Sequence, residues 1–207
     1  MSILKNLELQ RLIKELMSIL KNLELQRLIK ELQFVESDYE YQSEILRQSD
    51  KYFFESVDNL LENYPDLKKV WNEKNSQTVE FVPENVVVEN IQVKSKVDNK
   101  VKKIYREIVK STHPDKIKNS KLNELYLEAT FAYESNDIVT LIKVSSELLI
   151  DLKFDDKELE SIKERISQIR EQIQFLESTY TFKWLKSSDV DKNKVILSFI
   201  QNRLRLC

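Results

Sequence analysis

Residues 97–133 read VDNKVKKIYREIVKSTHPDKIKNSKLNELYLEATFAY, and two patterns within them decide the fold. Val97, Val101, Ile104, Tyr105, Ile108 and Val109 recur at intervals of three and four, which places them on one face of a helix. Lys102, Lys103, Arg106 and Lys110 fall on the other face. Downstream, Leu122, Leu125, Tyr126, Ala129, Ala132 and Tyr133 repeat the same spacing and predict a second amphipathic helix. Between them, Pro114 disfavours the α conformation at His113, so the first helix ends there. Two such helices joined by a loop of about eight residues pack antiparallel. The chain's single histidine, in Thr112-His113-Pro114-Asp115-Lys116, then stands at the tip of a helical hairpin.

Composition points the same way for the whole chain. Its 207 residues include no glycine, where ordinary usage would supply roughly 14. Phosphate-cradling loops and dinucleotide fingerprints need glycine where backbone approaches a ligand, so nucleotide-loop enzymes are excluded. Tight hairpins and left-handed helix caps also rely on glycine, which argues against a turn-rich all-β fold. With three prolines and 33% charged residues, the expectation is an all-α protein of long helices. One cysteine, Cys207, cannot form an internal disulfide, and a reducing compartment is expected. No apolar run approaches the ~18 residues needed to span a bilayer. Glu8 and Glu15 within the amphipathic N-terminus argue against a secretory signal. The expected location is cytoplasmic, with no membrane partner.

Residues 1–16, MSILKNLELQRLIKEL, recur unchanged as residues 17–32. The copy includes its own methionine, which reads as a recent duplication or a cloning artefact with the original start at Met17. Sixteen residues at about 100° each leave a rotation of ~160°, so the two copies present their apolar stripes on nearly opposite faces. Leu9, Leu12, Leu16, Ile19 and Leu23 form one seam; Leu25, Leu28, Leu32, Val35 and Tyr39 form its copy. One partner helix cannot cover both, so 1–16 is read as a duplicated helical extension. The segments that follow are an N-terminal helical arm over 17–74, a linker or short extended segment over 75–95, a compact helical domain over 96–150, and a C-terminal region over 151–207. Within the arm, Pro65 interrupts the helix near Tyr64, and a short helix around Leu67–Trp71 follows. In the last region Leu159, Ile162, Ile166, Ile169, Ile173, Leu176 and Tyr180 keep a 3-4 heptad spacing. This is either a coiled-coil seam or the core face of a bundle helix. An antiparallel pairing of 25–60 with 159–183 and a homodimeric coiled coil through the arms fit the heptads equally well. Trp71 and Trp184 read as packing anchors.

The stretch KVKKIYREIVKSTHPDK, its polar loop and LNELYLEATFAY resemble helices II and III of a J-domain, the co-chaperone module of DnaK-type heat-shock ATPases. As in that family, a tyrosine, Tyr105, lies eight residues before the histidine. Tyr126, Ala129, Ala132 and Tyr133 match the aromatic–x–x–aliphatic–x–x–Ala-Tyr pattern of the third helix. The segment NDIVTLIKVSSELLI resembles the Asp-led helix that follows in divergent members. The resemblance covers about 50 residues, roughly 97–150. A full J-domain opens with a helix bearing Tyr-x-x-Leu-Gly, and nothing like it precedes Val97. The resemblance therefore implies a divergent form without the usual first helix, an antiparallel hairpin between long helical arms. Such a hairpin would borrow support from residues 51–72 or the C-terminal arm.

The resemblance implies a function without chemistry on this chain. Residues 94–121 hold ten Lys/Arg against three acids, a net of +7 within a chain of net −2. A basic face suits an acidic protein surface and speeds association with it. By resemblance that surface belongs to a DnaK-type chaperone. Asp115 would pair with a partner arginine, and His113 and Pro114 would hold the loop. Lys102, Lys103, Arg106, Lys110 and Lys116 would steer docking. Tyr105, Ile108, Tyr126, Ala129, Ala132 and Tyr133 would form the hairpin's core. Any single lysine reads as well as an ordinary solvated residue; the clustering carries the inference. An enzyme is not expected, because one histidine, one cysteine and no glycine leave no metal cluster, Cys-His nucleophile, phosphate loop or cofactor site. Asp155–Asp156 reads as a helix N-terminus. Nucleic acid is not the expected partner, since the tyrosines lie on the buried stripe instead of interleaving with the cations. The alternative is a coiled-coil adaptor whose degenerate hairpin engages no chaperone.

Overall fold

A computed structural model of the chain describes residues 2–75, 98–115, 119–150, 152 and 154–205. They form eight α-helices and, among the described residues, no strand: α1 (Ser2–Glu62), α2 (Pro65–Asn75), α3 (Asn99–Thr112), α4 (Ser120–Glu134), α5 (Ile138–Glu147), α6 (Asp156–Ser178), α7 (Tyr180–Lys186) and α8 (Asp189–Arg205). The linker read over 75–95 falls almost entirely outside the described residues. Packing divides the chain into two units, one drawn from Met1–Phe34 and Glu89–Ser167, the other from Val35–Val88 and Gln168–Cys207. Each unit therefore combines parts of both arms.

The first unit is built around α3, α4 and α5, each of which packs against the other two. Val101, Ile104 and Ile108 of α3, Leu125, Ala129 and Ala132 of α4, and Leu141, Ile142 and Val144 of α5 are buried. Leu25, Leu28, Ile29 and Leu32 of α1 and Leu159, Ile162 and Ile166 of α6 are also buried here. The two repeats fare differently: the first lies about 24 Å farther along α1 and its apolar stripe is turned ~160° from that of the second. Leu9, Leu12, Leu16, Ile19 and Leu23 are 56–57% exposed, while Leu25, Leu28 and Leu32 are 7%, 2% and 1% exposed. Ion pairs join Lys21 Nζ to Asp156 (2.8 Å) and Lys163 Nζ to Glu24 Oε1 (3.2 Å). Residue numbers rise together along the two helices, so in this unit the segments run parallel and not antiparallel. Antiparallel helices need only a short loop; parallel ones need a long crossover, which residues 63–155 supply.

The second unit has its own aromatic core. Phe53, Val57, Leu61 and Trp71 are buried with Ile196 and Ile200 of α8. Phe199 sits among the rings, 5.2 Å from Phe53, 5.8 Å from Trp71 and 5.3 Å from Tyr180. Residues 51–72 belong to this core; of the two expected sources of support for the hairpin, it is the C-terminal arm that contributes residues, 156–167, to the first unit. The heptad run also ends earlier than its spacing implies. α6 stops at Ser178, and Thr179 caps α7 by accepting the Phe182 amide at 3.3 Å. Tyr180 therefore opens α7, not a further heptad turn. Threonine's hydroxyl competes for backbone donors, which lets a helix restart where the apolar period alone would continue it.

Without glycine, two helices still end in left-handed residues. Asn136 (φ 57°) follows α4, and Leu149 (φ 56°) follows α5. Each closes the same motif: Asp137 N–H donates to Ala132 O (2.8 Å), and Ile150 N–H to Ser145 O (2.9 Å). Asparagine tolerates this region, whereas leucine is strained there by about 1–2 kcal/mol. Leu149 is also 91% exposed, so its side chain contributes little burial. Leu149→Gly should remove the strain at the cost of roughly 0.5–1 kcal/mol of extra unfolded-state entropy. The expected outcome is a melting temperature unchanged or raised by about 1–3 °C, measured by thermal circular dichroism. A clear drop would show that the leucine side chain stabilises the turn.

Candidate functional site

The hairpin of α3 and α4 is fixed by a ladder of polar and aromatic contacts that dictates where its tip lies. At the open end the Asp98 side chain caps α3 by accepting the Lys100 amide (2.8 Å), and the Asp98 amide donates to Asn136 Oδ1 (3.1 Å). The left-handed Asn136 therefore closes α4 and ties it to the start of α3. In the middle, the Tyr105 and Tyr133 rings stack at 4.4 Å with 15° between planes, and the Tyr105 hydroxyl meets Thr130 Oγ1 at 3.2 Å. Toward the tip, the His113 ring meets Tyr126 edge-on at 5.7 Å. Pairs 98/136, 105/133 and 113/126 descend on one helix as they rise on the other, so the pair is antiparallel. Ile108, Ala129 and Ala132 are buried beneath the rings, and Tyr105, Tyr126 and Tyr133 are half-buried.

At the tip, α3 ends at Thr112, fully buried, whose Oγ1 donates to Ile108 O at 2.8 Å. His113 follows as the C-cap, its amide donating to Val109 O. Its Nδ1 accepts the Asp115 amide at 3.2 Å. The ring is thus fixed from two sides, by the loop backbone and by Tyr126. Pro114 sits between with no N–H of its own to donate. The Asp115 carboxylate is 3.7 Å from Nδ1 and 87% exposed. Asn119 opens α4 by accepting the Leu122 amide. The result is an exposed carboxylate on a short loop whose backbone is held by a half-buried imidazole.

Lys102, Lys103, Arg106 and Lys110 are all exposed on the outer face of α3, along an open depression edged by Tyr105 and Val109. Lys110 pairs with Glu107 at 2.7 Å on the same helix. Lys116 lies outside the described residues. Lys100, counted with the basic cluster in the sequence, turns the other way. Its ammonium meets Glu158 (2.7 Å) and Asp155 (3.0 Å) at the start of α6. Glu158 is 5% exposed and also accepts the Asp155 amide (2.7 Å), half of a capping box. Burial alone would lower the Lys100 pKa, but its hydrogen bonds to Glu158 and Asp155 more than offset this and raise it. The same hydrogen bond holds Asp155 below the usual carboxylate range. Sequence spacing offers the Asp155-x-x-Glu158 cap as a signal, but nothing local that pairs it with Lys100, 55 residues away. Thr130 and Asn136 were missed in the same way, because their roles rest on contacts across the hairpin. Among the described residues, no three His, Cys, Asp or Glu side chains converge as metal ligands would. No helix among them is long and apolar enough to cross a membrane.

Comparison of the chain with protein-family models, with curated proteins and with solved structures returns no match.

Lys100→Met leaves the buried Glu158 without its cation. Breaking a fully buried pair costs about 3–5 kcal/mol; with Lys100 29% exposed, a loss of roughly 2 kcal/mol is expected in urea unfolding. The pH profile identifies the cause. Asp155, with its lowered pKa, stabilises the fold above about pH 4 and loses that contribution as pH falls through its folded value. Lys100, with its raised pKa, contributes below about pH 10.5 and loses its share as pH rises through its folded value. In Lys100→Met both limbs of the stability profile should flatten.

Proposed function

We propose that this chain is a J-domain co-chaperone of divergent form, which docks on a DnaK-type heat-shock chaperone and stimulates its ATP hydrolysis. The observation that carries the reading is the exposed Asp115 carboxylate at the end of an antiparallel hairpin, held by His113 and flanked by the exposed cations of α3. In this reading α3 and α4 take the parts of helices II and III. The support normally given by a first helix falls to α5, which packs on both. Asp115 forms a charge-assisted hydrogen bond with an arginine of the chaperone. His113 and Pro114 limit the loop's conformations, so little entropy is lost on docking. Lys102, Lys103, Arg106 and Lys110 raise the encounter rate with an acidic surface, and added salt lowers it. The partner carries out the hydrolysis; this chain positions and triggers it.

The adaptor reading draws on a different observation, the exposed apolar stripe of α1. A single experiment separates the two. ATP hydrolysis by a DnaK-type chaperone is followed in single turnover with and without the full chain at micromolar concentration. The co-chaperone reading expects acceleration that His113→Gln abolishes. Reversing charge at Lys102, Lys103 and Arg106 should slow association by about 10-fold or more at low salt, with the gap closing at high salt. Absence of acceleration by the wild-type chain with its cognate chaperone rejects this function. Acceleration that survives His113→Gln rejects the loop mechanism.

A further inference from the structure

We propose that the exposed apolar face of α1 between Leu9 and Leu23 is a self-association surface, and that its occupant is the same face of a second copy of this chain. Leu9, Leu12, Leu16, Ile19 and Leu23 run along it at 3-4-3-4 spacing, and Ile13 and Leu20 widen it on one side. Each is 52–57% exposed, and no residue from 6 to 20 is buried. These side chains and Met17 present on the order of 800 Å² of apolar surface, about what one partner contributes to a stable complex. Monomeric proteins rarely expose more than a few hundred Å² in one patch. Most helical stability in proteins comes from tertiary packing of an amphipathic face, and within one chain residues 6–20 have none.

The repeat indicates what that is. Leu9, Leu12, Ile13 and Leu16 are sequence copies of Leu25, Leu28, Ile29 and Leu32. Those four are 7%, 2%, 4% and 1% exposed in the first unit, where α6 buries its own Leu159, Ile162 and Ile166. The molecule thus uses this face, in this unit, in company with a helix of heptad spacing. A heptad seam left open on every copy of the chain is the arm itself. Identical faces related by a twofold axis are self-complementary, and Leu and Ile at 3-4 spacing interdigitate as knobs in holes. Over residues 1–23 the arm carries Lys5, Arg11, Lys14 and Lys21 against Glu8 and Glu15, a net of +2 of mixed sign, and between Leu9 and Leu23 these charges stand off the seam, so two arms meet without strong repulsion. A membrane-surface helix would instead carry a Lys/Arg-rich polar face and Trp or Phe on the apolar one. The inference does not depend on the co-chaperone reading.

Sedimentation equilibrium of the full chain at roughly 1–100 µM should give a mass of two or more chains, falling on dilution. Leu12→Glu/Leu16→Glu/Ile19→Glu should weaken self-association by more than about 100-fold, because three apolar contacts are lost. Its far-ultraviolet dichroism should show the remaining helices retained. Leu16→Cys in a Cys207→Ser background should form a covalent dimer in high yield on mild oxidation, a test that stands even if the glutamate variant loses helicity. A monomer at every concentration overturns the proposal, as does self-association indifferent to the three glutamates. Binding to phosphatidylcholine–phosphatidylserine vesicles without self-association overturns it in favour of a lipid surface.

Discussion

A chain with no glycine must leave each helix through residues that carry a Cβ, and most of the architecture follows from how it does so. Helices start on side chains that accept backbone amides: Asp98, Asn119, Asp137 and Thr179. They stop where a proline forbids the next turn, as at His113-Pro114, or where a residue accepts a left-handed conformation, as Asn136 and Leu149 do. Such exits are few, so helices persist, and α1 runs for 61 residues. A helix that long cannot keep one partner. Its apolar side chains are buried in the first unit over 25–32 and in the second over 53–61.

The tip of the α3–α4 hairpin depends on the same restriction. At residues 113–115 the backbone is limited by Pro114 and by the His113 ring, which accepts the Asp115 amide. The ring is in turn fixed by Tyr126 and the hairpin by the Tyr105–Tyr133 stack. Asp115 therefore projects from a constrained position, and a constrained carboxylate binds a cation with less entropy loss than a mobile one.

Periodicity made the helices and their buried faces legible. Val101, Ile104 and Ile108 form the inner face of α3, and the α6 heptads are inward from Leu159 to Ile173, as their spacing demands. The features that spacing did not reveal share a physical origin, since each needs two distant segments together. Lys100 looks like one more surface cation until Glu158 is placed beside it. The parallel course of α1 and α6 in the first unit follows from the long crossover, on which heptads are silent. The restart at Thr179 is a local signal, but threonine within an apolar repeat is read as helix until its hydroxyl is seen to cap. In the tip loop, His113 and Asp115 stand out in the sequence, whereas their mutual hydrogen bond depends on how the ring is set against Tyr126.

The two identical 16-residue segments separate intrinsic from contextual causes of burial. They share every side chain and both are helical, so neither helix propensity nor amphipathicity can explain why one is buried and the other exposed. The difference comes from position and rotation together: the first copy lies about 24 Å farther along the helix, where no residue from 6 to 20 is buried on any face, and its apolar stripe is turned away from that of the second. A helix carried on through 16 residues turns ~160° beyond a whole number of turns, so a face that meets the bundle in one copy points away from it in the other. A repeat of 18 residues would have returned to nearly the same face and continued a single stripe. The 16-residue period instead adds a second seam to the same helix, opposite the first. That seam can be covered only from outside the bundle, which makes the arm's exposure a consequence of helix geometry and not of a weak sequence.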